Sequence, residues 1–291
     1  MLNRDDRTRA HIDTVKTHRM IVNNPGAGLE WNYASVGPPM DLSSLPEFDG
    51  PGDQRGIGII APFDLAIERE LWRWIPAEVS LHLARTHYEP VPVSRLMAEL
   101  VSNTHHLEAA TRDVLHVEPE VVAYLCASGS FVNGVEYEKT LVAAIEAAGA
   151  PAAVTTSGAL AEAVLALQIS RMCVITPYDE ELTELLHAFL GQLGVTVLRS
   201  DYLGLGGGIW KVNYRTVAER IVAADHPDAQ AIFVSCTNLR TYDIVDPLEN
   251  MLGKPILTAN QLTMWACLGR MDLPMMGPGR WLRDVFAGAK R

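Results

Sequence analysis

The chain has 291 residues, enough at roughly 100–200 per domain for one large domain or two small ones. Hydrophobic residues make up 48% and charged residues 20%, an ordinary globular balance that excludes wholesale disorder. Asp and Glu number 35 against 24 Lys and Arg, and the net charge of −11 argues against nucleic-acid backbones and anionic membranes as partners, though a local pocket can still oppose that sign for a small acid.

The opening MLNRDDRTRAHIDTVKTHR holds no apolar run, so no signal peptide is expected. No stretch reaches the roughly 18–20 apolar residues of a membrane helix. The four cysteines are far apart and lack CxxC spacing, which points to free thiols in a reducing, cytoplasmic compartment. Residues 1–55 read as an irregular N-terminal arm, dense in Pro, Gly, Ser and Asp from Asn23 onward, with a short helix over Asp6–His18. Trp31 and Tyr33 suggest that part of the arm docks on the body or on a neighbouring subunit.

From Gly56 the texture is α/β. Short Val- and Ile-rich runs predict strands at Ile57–Ala61, Val121–Leu125, Ala152–Thr155, Met172–Ile175, Val195–Leu198, Ala231–Ser235 and Pro255–Leu257. Helical periods predict helices at Ala66–Leu83, Ser94–Val114, Val135–Ala148, Gly158–Ile169, Glu180–Leu193, Asn213–Ala224, Val245–Leu252 and Asn260–Leu268. Strands alternating with helices imply parallel sheets, whose sites lie beyond the C-terminal strand ends.

An internal repeat organises this region. Ala61-Pro62-Phe63-Asp64 is answered by Thr176-Pro177-Tyr178-Asp179, each after an apolar strand. VVAYLCASGS (Val121–Ser130) is answered by AIFVSCTNLR (Ala231–Arg240), cysteine on cysteine. GAPAAVTTSGAL (Gly149–Leu160) is answered by GKPILTANQL (Gly253–Leu262), proline on proline. Three matches in one order predict two pseudo-symmetric lobes, each a parallel sheet flanked by helices. The expected boundaries are 56–157 for lobe 1, completed by 258–291, and 158–257 for lobe 2.

Cys126 and Cys236 occupy equivalent strand ends, followed by Ala127-Ser128-Gly129-Ser130 and by Thr237-Asn238. Small polar residues there favour a turn with exposed backbone N–H groups, which binds anions and is expected to lower a thiol pKa. Two thiols meeting across a cleft suit chemistry in which one attacks or takes a proton and the other gives one, without a metal or organic cofactor. A lone strand-end cysteine is usually only packing. The repeat is what lifts this pair above that reading, while Cys173, inside a strand, and Cys267, inside an apolar helix, read as core.

The paired cysteine motifs and duplicated halves resemble the aspartate/glutamate racemase superfamily, and within it the maleate cis–trans isomerase and arylmalonate decarboxylase branch. The resemblance covers about Gly56–Met271. It implies a cofactor-independent enzyme, a small carboxylic acid as substrate, and a homo-oligomer, dimer or tetramer. It further implies Cys126 as nucleophile toward an alkene carbon and Cys236 as acid/base. Backbone amides around Gly129 and Asn238, with Ser128, Ser130 and Thr237, would cradle carboxylates, and Tyr178 matches a substrate-contacting tyrosine. Where maleate isomerases carry a carboxylate-binding asparagine, this chain has Asp64, which would repel a carboxylate unless protonated or paired; alternatively it caps the helix starting at Ala66. Maleate-to-fumarate isomerisation is the expected reaction. Decarboxylation of a disubstituted malonate is the alternative, disfavoured because the decarboxylase has glycine at the first cysteine, and a non-catalytic acid-binding protein is a third.

Three further features carry less. The loop LeuGlyLeuGlyGlyGly (203–208) lacks the phosphate-loop ending and reads as a flexible cleft loop. His105-His106 lacks metal-ligand spacing and reads as a surface pair. Arg240 could meet a carboxylate or pair with Asp243 or Asp246.

Overall fold

The runs Ile57–Ala61, Val121–Tyr124, Met172–Thr176 and Ala231–Val234 are apolar without alternation, the signature of strands covered on both faces. In the computed structural model, which describes residues 54–289, every one of their side chains is buried. They form the centres of two sheets. The first contains β1 (Arg55–Ala61), β2 (Val79–Arg85), β3 (Val121–Tyr124) and β4 (Ala153–Thr155), in the order β2-β1-β3-β4. The second contains β5 (Arg171–Thr176), β6 (Thr196–Tyr202), β7 (Ala231–Val234) and β8 (Ile256–Thr258), in the order β6-β5-β7-β8. All pairings are parallel. The two orders are identical once β1 is matched to β5, so the repeat in the sequence is a repeat in topology.

The first sheet is dressed by α1 (Glu68–Leu71), α2 (Arg95–Val101), α3 (Thr104–Leu115), α4 (Ala127–Phe131) and α5 (Gly134–Ala147). After β4 comes α6 (Thr156–Ala166), and the second sheet carries α7 (Glu180–Gln192), α8 (Tyr214–Ala224) and α9 (Val245–Leu252). Helix α10 (Ala259–Arg270) leaves β8 and packs on α6, β3 and β4. Helix α11 (Arg280–Ala289) follows. Helix starts repeat between halves. Thr155 accepts from Gly158 N–H at the start of α6, and Thr258 accepts from Gln261 N–H at the start of α10, where the Gln261 side chain reciprocates.

Several sequence expectations need correction. The helix expected over Ala66–Leu83 is only α1; Pro76 stops a helix, and Val79-Ser80-Leu81-His82-Leu83 alternates as the unforeseen edge strand β2. The helix expected over Ser94–Val114 is broken at Ser102-Asn103, where the Asn103 side chain accepts from His105 N–H and starts α3 afresh. Helices α4 and α11 were not foreseen. Strand β1 begins at Arg55, inside the stretch read as the arm. The rest of that arm, with the helix at Asp6–His18, Trp31 and Tyr33, lies outside the described residues. As expected, Cys173 sits in β5 and Cys267 in α10, both fully buried.

Candidate active site

The C-terminal ends of β3 and β7 are where each lobe stops being a ladder and must satisfy its loose backbone groups another way. In lobe 1 Cys126 is the N-cap of α4, in extended conformation, and its Sγ accepts from Gly129 N–H at 3.3 Å. In lobe 2 Cys236 takes a left-handed backbone, φ 87°, and its Sγ accepts from Asn238 N–H at 3.4 Å. A non-glycine residue in that region costs on the order of 1–3 kcal/mol and persists only where its surroundings enforce it. Here Thr237 provides part of the enforcement, its hydroxyl donating across the lobes to Leu125 O at 3.2 Å.

Both sulfurs line one narrow cavity, together with Asp64, Ala127, Ser128, Tyr178, Thr237 and Asn238. Pro62, Val93, Met97 and Ile209 complete it. Larger surface hollows lie elsewhere on the body, but none of them holds a cysteine. Cys126 and Cys236 keep only 3% and 9% of their surface exposed. The thiols are therefore buried yet face a shared space, as the duplicated motifs predict.

Their electrostatics run against expectation. Burial pushes the Cys126 thiol up, and it pushes Cys236 up to about 12. The expected lowering by exposed amides fails because desolvation outweighs the one N–H that each sulfur receives. The nearby Asp64 carboxylate adds to the rise at both. Each thiolate is assisted by one backbone N–H and one tyrosine, Tyr124 at Cys126 and Tyr178 at Cys236, and Ser128 Oγ, 3.8 Å from Cys126 Sγ, is the extra help that Cys126 has. Gly129 is obligatory: a Cβ there would collide with the Tyr124 hydroxyl and sit 3.2 Å from Cys126 Sγ.

The other expected site residues divide. Tyr178 is buried against the cavity with its hydroxyl 3.3 Å from Ser235 Oγ. Ser128 and Thr237 line the cavity. Ser130 does not: its hydroxyl donates to Cys126 O at 2.6 Å, accepts from Ser157 N–H at 3.1 Å and closes α4 from behind. Gly129 spends its N–H on Cys126 Sγ. Asn238 lines the cavity, but its amide is spent across the lobes, accepting from Ala66 N–H at 2.9 Å and donating to Asp64 O at 2.9 Å. The Ala66 N–H that the sequence offered to Asp64 thus goes to Asn238, and α1 itself starts later, at Glu68, without a side-chain cap. Asp64 instead turns into the cavity, while its repeat partner Asp179 does cap a helix, accepting from Leu182 N–H at 2.9 Å.

Sequence reading missed Val93, Met97 and Ile209. Only Ile209 had a signal, since it follows the glycine loop 203–208, whose Gly206 O accepts from Val93 N–H at 3.0 Å. Arg240 is exposed and outside the cavity, and Asp243 pairs with Arg73 instead. His105 is exposed, and His106 stacks edge-on with His87 at 4.7 Å. No cluster of three metal-ligating side chains exists among the described residues.

The profile of the arylmalonate decarboxylase family matches residues 99–282. Maleate isomerase of Nocardia farcinica is 28% identical over 250 residues, which is 80% of this chain and 97% of that protein. Arylmalonate decarboxylase of Bordetella bronchiseptica is 30% identical over 150 residues, 50% of this chain and 62% of that protein. Among solved structures, a mutant of the Nocardia farcinica maleate cis-trans isomerase with a covalently bound succinylcysteine intermediate superposes with a TM-score of 0.73 at 24% identity, over 79% of this chain and 98% of that one.

Proposed function

The chain belongs to the arylmalonate decarboxylase family, and on that premise we propose that it is a cysteine-dependent isomerase of small carboxylic acids, with maleate-to-fumarate conversion as its leading reaction. The observation that carries this reading is the pair of thiols on one cavity, Cys126 and Cys236. Cys126, the better supported as thiolate, adds to one alkene carbon. The electron pair of the double bond takes a proton from the Cys236 thiol at the other carbon. The former double bond is now single and rotates. The Cys236 thiolate then takes a proton back as the carbon–sulfur bond breaks, releasing the trans acid. Cys126 enters the cycle after giving its proton to solvent, so the reacting site starts and ends with one thiolate and one thiol. In this proposal Ser128, Thr237 and Tyr178 orient the acid, while Ser130, Gly129 and Asn238 shape the cysteine turns.

The test is incubation with maleate in deuterated water, followed by proton NMR. Fumarate should form, Cys126→Ala should abolish it, and Cys236→Ser should leave an adduct one maleic acid heavier by intact-protein mass spectrometry. Carbon dioxide release from a disubstituted malonate would instead favour decarboxylation, the reading the family profile itself supports but the retained Cys126 opposes. Melting shifts with acids but no turnover of any would favour a binding protein. The proposal includes a cytoplasmic homo-oligomer working without a cofactor. Four free cysteines support a reducing compartment, and light scattering after size exclusion tests the assembly.

A further inference from the structure

Among the described residues, the cavity lining contains one carboxylate, Asp64, and no Lys, Arg or His. A substrate with two carboxylates would bring both charges into a space that already holds a third and offers no cation against them. Arg85 attracts the Asp64 carboxylate from outside the lining, and its own hydrogen bonds go to Leu65 O at 2.8 Å and to Glu68 Oε2 at 3.1 Å. Asn238 donates to Asp64 Oδ2 at 3.5 Å and the aspartate's own backbone also hydrogen-bonds the carboxylate, which lines the cavity. Its repeat partner Asp179 shows what the same residue does when its role is structural: it caps a helix. Asp64 caps no helix and lines the cavity with the thiols instead. Burial pushes its carboxyl up, outweighing those hydrogen bonds and the attraction of Arg85.

We propose that Asp64 determines specificity in this cavity, and that the substrate end it receives carries an N–H donor, as an amide or ammonium does, rather than a second carboxylate. The proposal rests on the isomerase reading for its chemistry and narrows the substrate from a cis diacid to its half-amide. One carboxylate is then bound by the neutral donors of the cavity. The N–H group at the other end donates to Asp64.

Succinate and succinamate make a clean probe pair, because they differ by one charge and one heavy atom and neither contains a double bond to react. Calorimetric titration of the full chain at neutral pH should give succinamate at least about tenfold tighter binding than succinate. Asp64→Asn should bring the two within about threefold or reverse them, and Asp64→Ser guards against a folding defect peculiar to one substitution. Equal binding in the wild type, tighter succinate, no succinamate binding at millimolar concentration, or an unchanged ratio in both variants would overturn the proposal. So would succinate binding that tightens steeply as pH falls, because Asp64 would then be a protonated donor to a carboxylate. Turnover separates this from the parent reading. If succinamate is preferred but neither maleate nor its half-amide is isomerised by wild type or variants, the isomerase assignment fails and the role of Asp64 stands.

Discussion

The two catalytic cysteines proposed here began as copies of one position and have diverged in backbone rather than in side chain. Cys126 opens a helix in ordinary extended geometry, whereas Cys236 is held left-handed. Burial raises both thiols, and a raised thiol holds its proton more tightly folded than unfolded. The sign follows directly. The stability this contributes is fully present below the unfolded value of about 9 and is lost as pH climbs toward about 12 at Cys236. Reactivity runs the other way, because only the thiolate attacks. Iodoacetamide labelling of Cys126 and Cys236 in the ligand-free protein should be slow at neutral pH, with a midpoint above the ~8.5 of a free thiol. Melting temperature should fall over the same alkaline range. Rapid labelling with a midpoint below neutrality would contradict the burial argument.

At the scale of elements, helix starts carry much of the site's precision. Thr258 forms a reciprocal cap with Gln261, and α10 is buried along nearly its whole length. Thr155 makes only the forward half of the same cap for α6. Thr258→Ala should cost about 1–2 kcal/mol and Thr155→Ala about 1 kcal/mol in urea unfolding, with equal losses counting against the distinction. Sequence legibility followed the same lines. The central strands, the long helices and the matched cysteines were readable because apolar runs and repeated motifs survive duplication. Strand β2 was hidden because it is an edge strand with partly exposed alternate residues, and its run of Trp, Leu and Ile upstream imitates a helix. Helix α4 is five residues long, too short for any period to register. Ser130 looked like a ligand contact only because the turn of α4 that rotates it away from the cavity was invisible. Val93 and Met97 come from a segment without a repeat partner, so nothing in the sequence tied them to the thiols.

Over the whole molecule, the net charge of −11 opposes an anionic substrate, and the cavity lining supplies no cation to reverse it. Screening therefore helps binding. Raising ionic strength from about 10 to 150 mM shortens the screening length from roughly 30 to 8 Å, and kcat/KM for a small acid should rise severalfold. A fall would mean that the arginines outside the cavity, Arg69, Arg73, Arg85 and Arg240, create a local attractive field strong enough to win.

Helix α10 leaves the second sheet yet buries its apolar side chains on strands of the first, and it is further tied there by Thr263 facing Thr156 at 3.0 Å and by the Arg270–Glu162 ion pair. The ancestral copies have thus traded parts. Neither half, severed between α6 and β5, would keep a finished interior: the front fragment would lose the lid over β3 and β4, and the rear one would carry Leu262, Met264, Trp265 and Leu268 into water. What began as a tandem of self-sufficient pieces has become a single obligate knot of mutual dependence, in which the reacting sulfurs can be brought together only by a chain that folds to its far end.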